Sequence, residues 1–515
     1  MIPHHKMVRD FISSRFYDTL LNTRIMIMIT IQEIIDIINQ TRAGADLSVI
    51  LKAYEFASIA HAGQKRLSGE DYLQHCLATA KKLAEMKMDI TTITAGLLHD
   101  VPEDTNYTLE EVKKQFGKEV ANLIEGITKV GTLKYRGVER YAENLRKMFL
   151  AMSEDIRTII IKFADRLNNL KTLEYNRPDK RRRIALETLE IYAPIAHRLG
   201  MGEMRGQLED LAFPYAYPKE YEWVKNLSET RLKVEIKYIE KIKKIAQKEL
   251  IENEIPFVAI HGRIKHIYSL YKKILEKDKD INKVYDLIAL RIITKNVADC
   301  YRILGQIHRR WVPLKGRIKD YIAQPKPNGY QSIHTTVFAE RGKIVEIQIR
   351  DLEMHELAEY GIAAHWRYKD FRIKKLSKEK MAWLNRLMEI QKKIADSKEY
   401  LSKIKIDIFQ NRIFVFTPNG DVIDLPEEAT PVDFAYHIHT NIGDRCIGAL
   451  VNENMVSLDS KLKSGDVIEI LVNKNRKKPN EDWLNFVKTN LAKEKIKQSL
   501  KKSSIDKLRN LLRRE

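Results

Sequence analysis

The sequence predicts a multidomain α+β protein: a helical first portion, a mixed α/β second portion and a small β-rich third. Three observations carry that expectation. At 515 residues the chain exceeds what one hydrophobic core supports, so three or four domains are expected. From residue 29 to about 215, apolar residues recur at the three- and four-residue spacing of amphipathic helices. Beyond that, β-branched runs at 284–294 and 343–350, and a hairpin pattern at 412–425, read as strands.

Composition narrows the class. Hydrophobic content of 44% and charged content of 31% describe a soluble globular protein. The 90 Lys and Arg outweigh 70 Asp and Glu, and the net +20 suits anionic partners such as nucleotides or RNA. Cys76, Cys300 and Cys446 are scattered, which excludes a disulfide framework or zinc knuckle and points to a reducing compartment. No run approaches the ~18 apolar residues of a membrane span. A cytoplasmic enzyme is expected.

Residues 1–28 read as an N-terminal extension. Lys6, Arg9, Arg15 and Arg24 alternate with Asp10 and Asp18, and no apolar core follows, which argues against a targeting peptide. An over-extended start is the expectation. In the helical portion, His99 and Asp100 close the apolar helix beginning at Ile90. Two such groups at the edge of a core are costly to bury unless paired or bound to a metal. Alone they read as a satisfied polar pair or as half of a metal site. With His75 and Asp165 they offer mixed nitrogen and oxygen ligands that suit a divalent ion such as Mn²⁺. Pro102 is expected to end the helix near Asp100. Glu103 and Asp104 would then lie on the following turn, placed to act on a metal-bound water.

Residues 181–220 read as connecting helices, with breaks expected at Gly200, Gly202, Pro214 and Pro218. A strand-like run at 255–260 leads into a basic stretch where Lys265, Ser269 and Lys273 share a helix face, ordinarily a solvated one. The run 284–294 reads as a buried strand with an anomalous Asp286 near its start, and 343–350 carries Glu346 the same way. Carboxylates on core strands are buried liabilities or Mg²⁺ ligands for a triphosphate. The second reading is preferred because of the loop at 316–336. There Arg317 and Lys319 can hold phosphate oxygens. Pro325, Pro327 and Gly329 keep the loop irregular and expose Tyr330 for stacking on a base. The bland reading of this loop is a basic surface connection into a strand at 334–338.

The literal string from Gly316 to Thr336 resembles the synthetase signature of the long RelA/SpoT homologues, which make and degrade the alarmone (p)ppGpp. Arg317 to Asp320 resembles the version found in bifunctional members. The resemblance is dense over about 220–395, including the stretch 354–366. It implies a mixed α/β nucleotidyltransferase-like synthetase domain at 221–395. ATP phosphates would fall on Arg263, Lys265, Ser269 and Lys273, and Mg²⁺ on Asp286 and Glu346. Tyr330 would stack on the guanine of GDP or GTP, with Asn328 and His334 close to that acceptor. Asp351 stands where the family usually has Thr. Residues 29–180 resemble the all-α HD-type hydrolase domain of the same family. That resemblance implies metal ligands at His75, His99, Asp100 and Asp165, catalytic carboxylates at Glu103 and Asp104, and nucleotide contacts at Arg66, Asn169 and Thr172. Leu67 replaces a common Lys, Asp71 a common Pro and Cys76 another Pro; loss of the Lys removes a phosphate partner.

Residues 370–405 read as a Lys-rich helical connector. The hairpin turning at Asn419 and Gly420, a helix near 432–439 and a strand at 468–472 resemble a TGS domain, a β-grasp module spanning 405–473. In the family this module contacts the 3′ end of uncharged tRNA, and His437 or His439 is the residue to test. The basic tail 474–515 carries 14 Lys and Arg against 5 Asp and Glu, a net +9, and offers a route to RNA. It resembles the start of the family's helical regulatory region, whose zinc-finger and ACT modules are absent from the sequence. The expected function is a bifunctional enzyme. It would transfer pyrophosphate from ATP to the 3′-OH of GDP or GTP, with Glu346 as a base for the hydroxyl, and hydrolyse the same 3′-pyrophosphate from (p)ppGpp. The alternatives are a metal-dependent HD phosphohydrolase with weak synthetase activity, and a tRNA- or ribosome-associated regulator.

Overall fold

The computed structural model describes residues 28–367 and 412–511, apart from 43, 132–136, 285, 286, 327, 420, 464, 474 and 477. The expected extension up to residue 27, the connector at 370–405 and Asp286 lie outside the described residues. Contacts divide the chain into two units, residues 1–134 with 144–385 and residues 135–143 with 386–515. Among the described residues no helix is long and apolar enough to cross a membrane.

The first unit opens with helices α1 (Ile31–Thr41), α2 (Ser48–Ala60), α3 (Tyr72–Glu85), α4 (Ile90–Leu98), α5 (Val101–Asp104), α6 (Leu109–Phe116), α7 (Lys118–Gly131), α8 (Gly137–Glu154, of which the part from residue 144 belongs to this unit), α9 (Arg157–Lys171), α10 (Pro178–Glu187), α11 (Ala193–Arg198) and α12 (Gly202–Ala216). Local chemistry sets several starts. Thr30 with Glu33, and Thr108 with Glu111, form capping boxes, and Asp89 accepts from the Thr92 amide at 2.9 Å. The apolar stripes of α3, α4 and α9 pack together, with Leu83, Leu97 and Phe163 fully buried. Gly96 allows this: a Cβ there would lie 2.4 Å from Leu83 Cδ1.

Three boundaries differ from expectation. Helix α4 ends at Leu98, and Glu103 and Asp104 sit on the four-residue helix α5, whose first turn contains Pro102. That position suits proline because its missing N–H has no helical partner there. Pro214 does not break α12. It lies two residues from the end, where it forfeits one helical bond, and its neighbours Ala212, Phe213 and Ala216 are buried in the core. The strand read at 255–260 is found at 259–264. Gly262 pairs with Leu290 and lies under Ile239, so the missing side chain makes room for a helix.

The rest of the first unit is α13 (Pro218–Glu252), β1 (Ala259–Ile264), α14 (Ile267–Leu275), β2 (Ile288–Thr294), α15 (Val297–Arg310), β3 (Lys319–Asp320), β4 (Ile333–Phe338), β5 (Ile344–Asp351) and α16 (Leu352–Tyr360). The mixed sheet runs β1-β2-β5-β4-β3, with β2 and β5 parallel and the other neighbours antiparallel. Its core face (Ile260, Leu290, Ile292, Ile347, Ile349, Val337) packs on α13, α14 and α15. Lys265 precedes α14 rather than lying on it, because the strand continues to Ile264 and His266 opens the helix.

In the second unit β6 (Arg412–Phe416) pairs with β7 (Val422–Pro426). Strand β8 (Cys446–Val451) pairs with β9 (Asn454–Val456) and β10 (Ile468–Val472). A bridge between Phe416 and Val467 joins the two sets. Helices α17 (Pro431–Ile438), α18 (Thr440–Arg445) and α19 (Asn490–Leu511) complete it. Buried Asp433 accepts from the backbone N–H groups of Lys488 and Thr489 at 3.0 and 2.7 Å, tying α19 to α17. The fold class is the multidomain α+β expected.

Candidate active sites

The first site lies where α3, the α4–α5 turn and α9 meet. His75 Nε2 is 3.3 Å from Asp100 Oδ2 and 3.4 Å from Asp165 Oδ1. His99 Nε2 is 3.2 Å from Asp100 Oδ1 and 3.9 Å from Asp165 Oδ1. The ligating atoms of His75, His99 and Asp165 lie within 4.8 Å of one another, all buried. His99 Nδ1 sits 2.9 Å from the Gly96 carbonyl, which can only accept, so neutral His99 holds its proton there. Its Nε2 is then a bare lone pair, buried with no hydrogen-bond partner. A lone pair facing carboxylate oxygens is repulsive unless a cation sits among them. Neighbouring ligands of an ion with ~2.1 Å bonds lie about 3 Å apart, close to the spacing found. The donor set fits a divalent metal.

The electrostatics agree. Burial opposes charge on His75, but the hydrogen bonds it donates to Asp100 and Asp165 hold its pKa above the ordinary value. Burial would also raise both carboxylates. Hydrogen bonding and charge from His75 act against it at Asp100, and Lys162, 2.7 Å from Asp165 Oδ2, leads at Asp165, so both stay ionised. Burial raises Glu103 against the Thr128 hydrogen bond and the Lys162 charge. Asp104 contacts the Tyr72 hydroxyl, which is also 3.0 Å from Asp100 Oδ2. Arg66 donates to Asn169, Asn169 donates to Asp165, and the Thr172 hydroxyl lies 3.5 Å from the Asn169 carbonyl. The predicted residues of this site are thus brought together. Tyr72, Lys162 and Asn168 were missed. Leu67 is exposed, and Cys76 is buried in the core.

The second site is the polar face of the mixed sheet. Register places His261, Arg291, Gln348, His334 and Lys319 in one row across all five strands. Arg263, Ala289, Glu346 and Thr336 form the next row. His334 Nδ1 lies 3.1 Å from Glu346 Oε1, and Tyr330 Oη lies 2.7 Å from His334 Nε2. Gln348 donates to Glu346 at 2.9 Å, and Arg263 reaches Gln348 at 3.5 Å. Burial raises Glu346, but His334 and Gln348 bring it down to about 2. Burial lowers His334 despite Glu346. A neutral imidazole therefore donates from Nδ1 to the carboxylate and accepts the Tyr330 hydroxyl at Nε2.

Three cations unread in the sequence join this face. Lys326 stands 4.5 Å over the Tyr321 ring and 5.3 Å over Tyr330; burial and Lys319 pull its pKa to about 8. Arg291 pairs with Glu359 at 2.7 Å, and burial with Arg350 pulls its pKa to about 9. Arg350 is fully buried, 5.8 Å over Tyr330, and its guanidinium nitrogens lack hydrogen-bond partners. The signal for both Arg residues was a charge inside an apolar strand, the same signal that singled out Glu346.

Elsewhere, Ser269 donates to Glu209 of α12 at 3.3 Å, and Lys273 lies in the last turn of α14. Asn328 accepts from the Tyr330 amide at 3.2 Å and reaches the His197 carbonyl at 3.5 Å. Arg317 is exposed in the turn before β3. Asp351 caps α16 by accepting from the Met354 amide at 2.8 Å. In the second unit His439 caps α18 by accepting from the Asn441 amide at 3.1 Å.

Comparison with known proteins finds a match to the HD domain at residues 53–202, to the region found in RelA/SpoT proteins at 262–372 and to the TGS domain at 413–472. A GTP pyrophosphokinase of Myxococcus xanthus is 46% identical, over 91% of this chain and 62% of its own. A guanosine-3′,5′-bis(diphosphate) 3′-pyrophosphohydrolase of Aquifex aeolicus is 49% identical, over 88% and 64%. A bifunctional (p)ppGpp synthase/hydrolase of Escherichia coli is 45% identical, over 90% and 66%. The chain spans less than two thirds of the length of these relatives. Three domain matches in family order, with identity of this level across nine tenths of the sequence, establish that the chain belongs to the RelA/SpoT family.

Proposed function

We propose that the chain is a bifunctional alarmone enzyme. The observation that carries this reading is two chemically different donor sets that share no residue. One is the His75, His99, Asp100 and Asp165 cluster with its bare lone pair; the other is the polar rows of the sheet around Glu346.

In the hydrolase site those four residues would hold Mn²⁺, which supplies a water of lowered pKa when bound. Glu103, raised by burial, is suited to carry a proton to or from the 3′-phosphate, with Asp104 held beside it by Tyr72. Arg66, Asn169 and Thr172 bind the nucleotide. In the synthetase site Arg263, Lys265, Ser269 and Lys273 bind ATP phosphates, and Arg317 and Lys319 hold phosphate oxygens. The acceptor guanine stacks on Tyr330, with Asn328 and His334 beside it. Glu346, with Asp286, would hold Mg²⁺, which neutralises charge on the transferred group. Ionised at neutral pH, Glu346 can also accept the hydrogen of the 3′-OH. The TGS unit and basic tail are proposed to contact tRNA or the ribosome.

The test is purified protein incubated with ATP and GDP or GTP, and separately with ppGpp and Mn²⁺. Formation of ppGpp or pppGpp in the first and release of pyrophosphate in the second are expected. Absence of either reaction would reduce the chain to the other activity.

A further inference from the structure

Arg350 lies on β5, two residues beyond Gln348 and on the same polar face. Its side chain is fully enclosed, and among the described residues none of its three guanidinium nitrogens has a hydrogen-bond partner. Keeping an unpaired charge out of water is costly. Its neighbours add to that cost: Arg263 and Arg291 repel it, and Glu359, the acid whose charge reaches it, is engaged by Arg291 at 2.7 Å. The group set against the guanidinium is the Tyr330 ring, 5.8 Å to the centroid, within the range of a cation–π contact. An enclosed side chain reaches neither solvent nor a bound nucleotide, so Arg350 acts through that ring. We propose that Arg350 is a positioning residue for the acceptor: it holds the Tyr330 ring from within, so that the outward face meets guanine already ordered. Other contacts fix the rim of the ring. The hydroxyl donates to His334 at 2.7 Å, and Tyr321 and His334 form T-shaped pairs with the ring, centroids 6.1 and 5.7 Å away. Lys326 also stands over the ring, at 5.3 Å, but it is half-buried and can give way to a base; Arg350 cannot. A ring ordered beforehand loses less freedom when the nucleotide binds. This rests on the reading of Tyr330 as the surface on which the acceptor base stacks.

The test is steady-state synthesis by the whole chain, with KM measured for GDP and for ATP, and a melting curve for each variant. Arg350→Met fills similar space without charge. It is expected to raise KM for GDP about 5- to 30-fold, the equivalent of a desolvated cation–π contact, and to change KM for ATP far less. Because it removes an unpaired buried charge, it is expected to melt no lower than the parent. Arg350→Lys keeps a charge beneath the ring and is expected to recover part of the loss. In a Tyr330→Ala background, Arg350→Met is expected to raise KM for GDP no further, since the ring it acts through is gone. Equal rises in both KM values with a lowered melting temperature would mark a structural residue and overturn the proposal. An unchanged KM for GDP, no recovery with lysine, or losses that multiply in the double variant would overturn it too. A KM for GDP at the parent value in Tyr330→Ala alone would instead overturn the stacking reading beneath it.

Discussion

Tyr330 gives its hydroxyl to His334, so the ring is what it can offer a nucleotide. Tyr330→Ala should raise KM for the acceptor roughly 5- to 150-fold, the equivalent of the ~1–3 kcal/mol of a base–aromatic stack. KM for ATP should move little, and a steady-state series in each substrate separates the two. The ligands of the hydrolase site were legible because His, Asp and Glu side chains are themselves the signal. What orients them was not. A backbone carbonyl such as that of Gly96 leaves no mark in a sequence, and Lys162 and Asn168 are ordinary helix residues until α9 is placed against α3. Arg350 shows the same limit: only the fold reveals that a strand arginine is buried beneath a tyrosine ring.

At the scale of elements, helix α14 carries Ser269 and Lys273, and contacts with α12 set its position. His266, at its N-cap, lies 2.7 Å from Asp210, whose other oxygen accepts from the Tyr268 amide at 3.1 Å. Burial would lower the pKa of His266, but Asp210 and Glu203 raise it to about 10. A folded pKa above the unfolded one gives stability that is complete below pH ~6.5 and fades as pH rises toward the folded value. The stability gap between parent and Asp210→Asn, measured by urea unfolding, should therefore be widest near pH 6.5 and narrow toward pH 10. A gap independent of pH would show that the pair contributes only packing. The sheet face makes a second case. Arg291→Met leaves the half-buried Glu359 carboxylate without its main partner and should cost about 3 kcal/mol, the low end for a buried pair; adding Glu359→Gln should recover much of that. Additive losses in the double variant would contradict the pairing. The strands themselves were legible from β-branched runs, but β1 was placed too early because His261 and Arg263, on its polar face, interrupt the apolar run.

At the scale of the molecule, the helical and sheet portions of the first unit meet along α12, which packs on α14 and α16, and single residues pin them together. Lys87 pairs with Glu356 at 2.7 Å, the Ile362 amide donates to the Leu199 carbonyl at 2.9 Å, and Lys272 pairs with Glu209 at 3.0 Å. Gly361, at φ +56°, is essential to this join: a Cβ there would lie 2.2 Å from Leu199 Oxygen. Sequence periodicity finds each portion but not such single contacts, so their union was not foreseen. Two chemistries in one unit is the central claim, and a pair of single substitutions tests it most directly. Both reactions are measured in Asp100→Ala and in Glu346→Gln, with melting curves to confirm folding. Asp100→Ala is expected to lose ppGpp hydrolysis and keep synthesis at the parent rate, while Glu346→Gln loses synthesis and keeps hydrolysis. Loss of both reactions in either folded variant, or parent rates of both, would contradict it.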